Sequence, residues 1–124
     1  MPRLLIVEDN EMNRDMLSRR LAKRGYDVAI AVDGEQGLAM ARSAPPALIL
    51  MDMSLPGLDG WEATRQLKGM EKVKATPIIA LSAFALKEEI QKSLAAGCSS
   101  HLTKPIRKAV LMEAIAAHTG SLKT

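Results

Sequence analysis

The chain has 124 residues, 48 % hydrophobic and 25 % charged, with seventeen Lys and Arg against fourteen Asp and Glu for a net charge of +3. These are ordinary globular values that argue against disorder. The length suits one domain burying roughly two thirds of its unfolded surface, too small for a large catalytic domain beside a regulatory one. The single Cys98 excludes an internal disulfide and a multi-cysteine zinc site.

Charge is unevenly spread: residues 1–62 carry seven basic and ten acidic groups, and residues 63–124 carry ten basic and four acidic ones. A solvated surface accounts for this, with an acidic partner as the sharper reading. Tyr26, Trp61 and Phe84 are the whole aromatic set, which is poor provision for stacking on single-stranded nucleic acid. The first apolar run, residues 4–7, is too short for a signal peptide and far short of the about 20 residues of a membrane span. A soluble, cytoplasmic protein with no membrane contact is expected.

The apolar run at 4–7 reads as a first strand. A first helix follows, with Met12, Met16, Leu17 and Leu21 on one face and an end near Gly25. Residues 28–32 form a second strand. Asp33 with Gln36 three positions on has the look of a capping box opening a second helix, which Pro45-Pro46 ends. A third strand spans 47–51, and Asp59 with Glu62 opens a third helix reaching about Met70. Residues 77–81 make a fourth strand, 87–96 a helix with Ile90 and Leu94 at i, i+4, and Gly97 a natural stop. A weaker fifth strand at 99–103 precedes a helix over 107–118 that carries Leu111 and Ile115 on one face. Continuous apolar strands suit burial on both faces. Five strand–helix units in alternation predict an α/β fold: a doubly wound, five-stranded parallel sheet with right-handed crossovers. Residues 1–119 form the domain, and 120–124 read as a frayed tail.

In such a sheet ligands bind at the carboxyl ends of the strands. Those ends carry Glu8-Asp9, Asp52, Ser82 and Lys104 followed by Pro105. Carboxylates brought together raise one another's pKa unless a cation joins them. Oxygen ligands with no His or Cys close by favour Mg²⁺ over zinc, and Mg²⁺ also ligates phosphate oxygens. Lys104 and Ser82 then offer an ammonium and a hydroxyl to a transferring phosphoryl group, and a carboxylate, best Asp52, can itself be the nucleophile.

The pieces that carry this chemistry are Leu5-Ile6-Val7-Glu8-Asp9-Asn10, Leu48-Ile49-Leu50-Met51-Asp52 with Leu55-Pro56-Gly57-Leu58-Asp59-Gly60, Pro77-Ile78-Ile79-Ala80-Leu81-Ser82-Ala83, and Leu102-Thr103-Lys104-Pro105-Ile106. Together, from residue 3 to about 118, they resemble the receiver domains of two-component response regulators, the CheY-like family with a flavodoxin-like fold. Ala83-Phe84-Ala85-Leu86-Lys87 is also similar to single-domain receivers of the DivK type. The resemblance implies strand order 2-1-3-4-5 and a phosphoryl transfer to Asp52 from a phosphohistidine on a sensor histidine kinase or histidine phosphotransfer protein. It implies Mg²⁺ held by Glu8, Asp9, Asp52 and the backbone carbonyl of Ser54, with phosphoryl oxygens bound by Ser82 and Lys104. It also implies a cis Lys104–Pro105 bond. Activity beyond self-catalysed aspartyl phosphorylation and dephosphorylation is not expected.

Each residue also has a plainer reading. Glu8-Asp9 would serve as a helix N-cap feature and Asp52 as a turn residue, Ser82 as a loop hydroxyl and Lys104 as a surface lysine. Their joint placement at strand ends favours the site. Asp33 and Asp59 are expected to be structural caps, Cys98 a small buried hydrophobe, and most of the eight Met core filler. Met53, Ser54 and Phe84 are expected to flank the site and tune its access to water. His101 stands where many receivers carry Tyr or Phe, so it is either the partner of Ser82 in a switch or a solvent-facing ring.

The resemblance places kinase docking on the first helix, around Arg14, Asp15, Ser18 and Arg19. It places output on the fourth helix, fifth strand and fifth helix, where Lys87, Lys92, Arg107 and Lys108 suit an acidic partner. With no output domain after residue 118, output is expected through a downstream protein target and not through nucleic acid. The alternatives are a phosphate shuttle or sink in a phosphorelay, a fragment of a larger hybrid kinase or response regulator, a pseudo-receiver that never uses the site, and a flavin-binding protein. The acidic, glycine-free loop at residues 9–14 argues against the last.

Overall fold

A computed structural model describes residues 3–83 and 86–119. Its elements alternate: β1 (Arg3–Val7), α1 (Glu11–Lys23), β2 (Asp27–Ala31), α2 (Gly34–Ser43), β3 (Leu48–Asp52), α3 (Gly60–Lys68), β4 (Ile78–Ser82), α4 (Lys87–Ala96), β5 (Ser100–Thr103) and α5 (Lys108–Thr119). The five strands form one parallel sheet in the order β2-β1-β3-β4-β5. Chain order reverses beside β1, so the loops after β1 and β3 open on a common crevice. All ten elements arise where the sequence places them, with shifts of a residue or two at their ends.

Parallel strands must hide both faces, and side-chain alternation splits the core in two. Leu5, Val7, Ile49, Met51, Ile78 and Ala80 point to one face and pack with Ala41 of α2 and Ala63 and Leu67 of α3. Leu4, Ile6, Leu48, Leu50, Ile79 and Leu81 point to the other and pack with Leu17 and Leu21 of α1 and Leu111 and Ile115 of α5. The central strands β3 and β4 are buried along their whole length, whereas β5, at the sheet edge, is only half-buried.

Two helix faces differ from their sequence reading. Met12 is 81 % exposed and Met16 is at the surface, so α1 rests on Leu17 and Leu21 alone. On α4 the buried positions are Ser93 and Ala96, while Leu94 is exposed. In both helices the apolar spacing marks more than the stripe that faces the sheet.

Helix starts follow their caps. Asp33 Oδ1 accepts the Gln36 N–H at 2.8 Å, and Gln36 reaches back to the Val32 N–H at 2.7 Å. Asp59 Oδ1 accepts the Glu62 N–H at 2.8 Å, but the Glu62 side chain turns to Arg65 instead of closing the box. The cap of α1 is Asn10, through the Asn13 N–H at 2.9 Å, which releases Glu8 and Asp9 from that duty. Gly97 ends α4 with φ 118°, a left-handed conformation natural to glycine.

Among the described residues no helix is long and apolar enough to cross a membrane. One glycine ties the fold to the site: a Cβ on Gly60 would stand 2.5 Å from the Asp52 carbonyl oxygen and 2.7 Å from Met53 Cα. Both neighbours are backbone, so α3 can start against the end of β3 only without a side chain there. Gly60→Ala is expected to lower unfolding stability by about 1–3 kcal/mol in a denaturant titration.

Candidate functional site

Four strand ends meet at one edge of the sheet. β1 delivers Glu8 and Asp9 just past Val7, β3 ends in Asp52, β4 in Ser82, and the chain leaving β5 carries Lys104. Glu8 is fully buried and Asp52 nearly so, whereas Asp9 is exposed. One carboxylate oxygen from each of Glu8, Asp9 and Asp52 lies within 4.8 Å of the others. Lys104 Nζ stands 3.0 Å from Glu8 Oε1 and 3.4 Å from Asp52 Oδ1.

Charge governs this arrangement. Burial is the largest influence on Glu8, and together with the neighbouring Asp52 it raises the carboxyl from 4.5 to about 7, against the opposing pull of the Asn10 N–H and Lys104. For Lys104, burial works against the ammonium, but the hydrogen bond to Glu8 and the negative charges of Asp52 and Glu8 outweigh it and raise its pKa. One cation between two buried carboxylates leaves an excess of negative charge, and Asp9 adds to it. Clustered hard oxygen donors without a His or Cys among them fit Mg²⁺.

Backbone groups hold the acids in place. The Asn10 N–H donates to Glu8 Oε2 at 3.1 Å, and the Ser54 N–H donates to Asp52 Oδ1 at 3.0 Å. Lys104 is itself anchored, its N–H donating to the Ser82 carbonyl at 2.7 Å, and the Lys104–Pro105 bond is cis. Arg14 Nη1 donates to the Glu8 carbonyl at 3.1 Å and the Asp9 carbonyl at 2.8 Å. This arginine, expected on the surface of α1, instead clamps the loop that carries the acids. Nothing in its spacing signals that role, since both contacts are to backbone.

The phosphoryl-binding candidates Ser82 and Lys104 are joined through their main chains. Ser82 is buried, and its Oγ lies 2.9 Å from Nε2 of His101. The His101 ring is therefore turned inward to Ser82, not out to solvent. Burial depresses its pKa below the usual 6.5, while the Glu89 carboxylate of α4 pulls the other way.

Other expectations separate from the site. Met53 is buried in the core cluster that holds residues of α3 and β4. Phe84 lies outside the described residues. Lys92 sits 3.9 Å over the Trp61 ring, whose Nε1–H donates to Ser93 Oγ at 3.1 Å. Lys92 thus packs on the Trp61 ring of α3. Cys98 is buried against Thr64, and its thiol pKa is raised mainly by burial.

The five-stranded 2-1-3-4-5 sheet has counterparts among known proteins. Residues 4–116 match the response regulator receiver domain family, and the chain belongs to it, a family of two-component signalling. The polar-differentiation response regulator DivK of Brucella ovis is 36 % identical over 117 residues, covering 94 % of this chain and 95 % of that protein. The receiver domain of sensor histidine kinase PA1611 from Pseudomonas aeruginosa PAO1, solved with magnesium coordinated in its active site cleft, has TM-score 0.90 and 37 % identity, covering 96 % of this chain and 98 % of that one. Chemotaxis protein CheY4 of Vibrio cholerae has TM-score 0.91 and 30 % identity, covering 95 % and 98 %.

The raised Glu8 pKa has a consequence for folding. Its folded-state value of about 7 lies above the ordinary 4.5, so its stabilising proton is fully bound below the lower value and is lost as pH rises through the higher one. In EDTA, the unfolding midpoint of the wild type is expected to fall between about pH 5 and about pH 8 more steeply than that of Glu8→Gln. Parallel profiles would remove Glu8 as the cause.

Proposed function

We propose that Asp52 accepts a phosphoryl group from a phosphohistidine of a sensor histidine kinase or histidine phosphotransfer protein. The observation that carries this reading is the Glu8–Asp9–Asp52 cluster with the Lys104 ammonium against its two buried members. Asp52 is the acceptor because it ends the central strand, between the acidic pair that follows β1 and the Ser82 and Lys104 that end β4 and follow β5. In the transfer the phosphorus–nitrogen bond breaks, the histidine nitrogen keeps the electron pair, and a bond forms from an Asp52 carboxylate oxygen to phosphorus. Lys104 and Ser82 bind the phosphoryl oxygens, an ammonium and a hydroxyl aimed at the charge that arrives.

Glu8, Asp9, Asp52 and the backbone carbonyl of Ser54 are the proposed holders of Mg²⁺. When bound, Mg²⁺ supplies the positive charge that the crowded carboxylates lack and ligates phosphoryl oxygens. A relative's receiver domain with magnesium in its active site cleft supports this assignment. The only turnover assigned to the chain is gain and loss of its own aspartyl phosphate.

Phosphorylation adds nearly two negative charges at pH 7. Ser82 and His101 carry that change to a protein-binding surface formed by α4, β5 and α5. Exposed Leu86, Leu94 and Val110 lie on or beside those helices, which supports a protein partner over nucleic acid or membrane. Met12 and Met16, exposed on α1, suit docking of the upstream phosphohistidine protein. The setting is the cytoplasm. The resemblance to a receiver that is part of a sensor histidine kinase keeps open a second reading, a relay domain of a larger protein.

Intact mass after incubation with a small phosphodonor and Mg²⁺ tests the acceptor. One phosphoryl adduct is expected in the wild type, with none in Asp52→Asn or in EDTA. A wild type that gains no adduct, also from a phosphorylated kinase, would make the chain a binding module that leaves the site idle. The switch is tested with the single tryptophan. Trp61 bonds Ser93 and stacks under Lys92, both on α4, so its emission is expected to change on phosphorylation of the wild type and much less in Ser82→Ala at equal adduct.

A further inference from the structure

Ser82 and His101 are linked by more than proximity. The β4–β5 register pairs Ala80 with His101 and Ser82 with Thr103. Ser82 and His101 are therefore diagonal neighbours on one face of the sheet. Their Oγ and Nε2 atoms are 2.9 Å apart, and Ser82 is 3 % exposed. A serine hydroxyl has one proton to give, and the ring is one of the groups that bear on where it goes. If Nε2 lacks a hydrogen, Ser82 donates to the ring and offers the site only lone pairs. If Nε2 carries one, the ring donates and the hydroxyl proton turns to another acceptor. The terminal oxygens of a phosphoryl dianion only accept, so the second arrangement alone serves them.

We propose that His101 is a positioning residue for phosphoryl binding: its Nε2–H donates to Ser82 Oγ and thereby commits the Ser82 O–H to a phosphoryl oxygen on Asp52. The inference rests on Asp52 being the phospho-acceptor. An imidazolium carries hydrogen on both nitrogens and is always the donor, whereas a neutral ring can adopt either role. Proton uptake by His101 and occupancy of Asp52 therefore favour each other, and the coupling is reciprocal. Around the ring, β4 presents Ala80 and Ser82, and α4 presents the Glu89 carboxylate, the one charged group acting on it among the described residues. Burial disfavours the charged ring in the unmodified protein, against the pull of Glu89. The arriving phosphoryl group then pulls a proton onto it through Ser82, so mild acid favours the phosphorylated state.

The chain has two histidines, His101 and His118, so an NMR titration of imidazole resonances reads the device with an internal control. The probe is beryllofluoride with Mg²⁺, which mimics an acyl phosphate on aspartate, with ¹⁹F signals reporting occupancy of Asp52. The His101 pKa is expected to rise on occupancy by about half a unit or more, a coupling of about threefold. His118 should stay still, and Ser82→Ala at saturating probe should lose most of the rise. Reciprocally, wild-type affinity for beryllofluoride should gain on lowering the pH from about 8 beyond the gain in His101→Gln, whose amide donates without titrating, and the full factor of about three is reached only below the depressed pKa of the ring. An unmoved His101 at full occupancy overturns the inference and leaves the acceptor reading standing. An equal rise in Ser82→Ala also overturns it, because the bare field of the anion then suffices. Failure of the probe to occupy Asp52 at all overturns the acceptor reading and this inference together.

Discussion

The Lys104 ammonium between Glu8 and Asp52 is the contact on which the site depends. Two carboxylates lie buried at the edge of a parallel sheet, a placement that is costly unless charge is paired. Lys104 supplies that pairing at 3.0 and 3.4 Å, from a strand-end loop that its own N–H fastens to β4. One cation is not enough for three acids, and the raised Glu8 pKa expresses the shortfall. The same shortfall makes the site receptive to a divalent ion. An arrangement that is uncomfortable when empty of cations is one poised to bind them.

The sheet makes this possible because it is rigid where the acids are placed. β3 carries Asp52 and is buried throughout, flanked by β1 and β4, with a separate apolar layer on each face. Gly60 lets α3 start within contact of the Asp52 backbone, and the Ser54 N–H fixes the carboxylate itself. On the other side Arg14 ties the carbonyls of Glu8 and Asp9 to α1. The acids are thus held by main-chain contacts, which do not rely on each other's charge.

The opposite flank is held more by polar contacts than by buried apolar ones. β5 is the half-buried edge strand, and α4 is joined to its neighbour through polar contacts of Trp61 with Ser93 and Lys92. Leu86 and Leu94 stay exposed there. A hydroxyl–imidazole contact between Ser82 and His101 connects this flank to the rigid one. Local polar contacts can be exchanged at small cost compared with repacking an apolar core, which supports the proposed read-out of a charge on Asp52 at this side.

By itself the sequence determined the alternation of elements, because buried parallel strands need continuous apolar runs and helices need spaced ones. It also determined the caps at Asp33 and Asp59, and the strand-end placement of Glu8, Asp9, Asp52, Ser82 and Lys104, since polar groups that break apolar runs in register must emerge at one sheet edge. Tertiary structure decided what spacing cannot encode. Met12, Met16 and Leu94 fit a helical stripe yet face outward, because a stripe does not say how wide a face the sheet will cover. Arg14 bonds carbonyls, a target every residue offers, so no pattern announces it. Lys92 and Trp61 meet only because α3 and α4 pack together. The direction of His101, inward to Ser82, follows from strand register and the pleat, which place residues of β4 and β5 on one face through pairing that is set across the sheet and not along the chain.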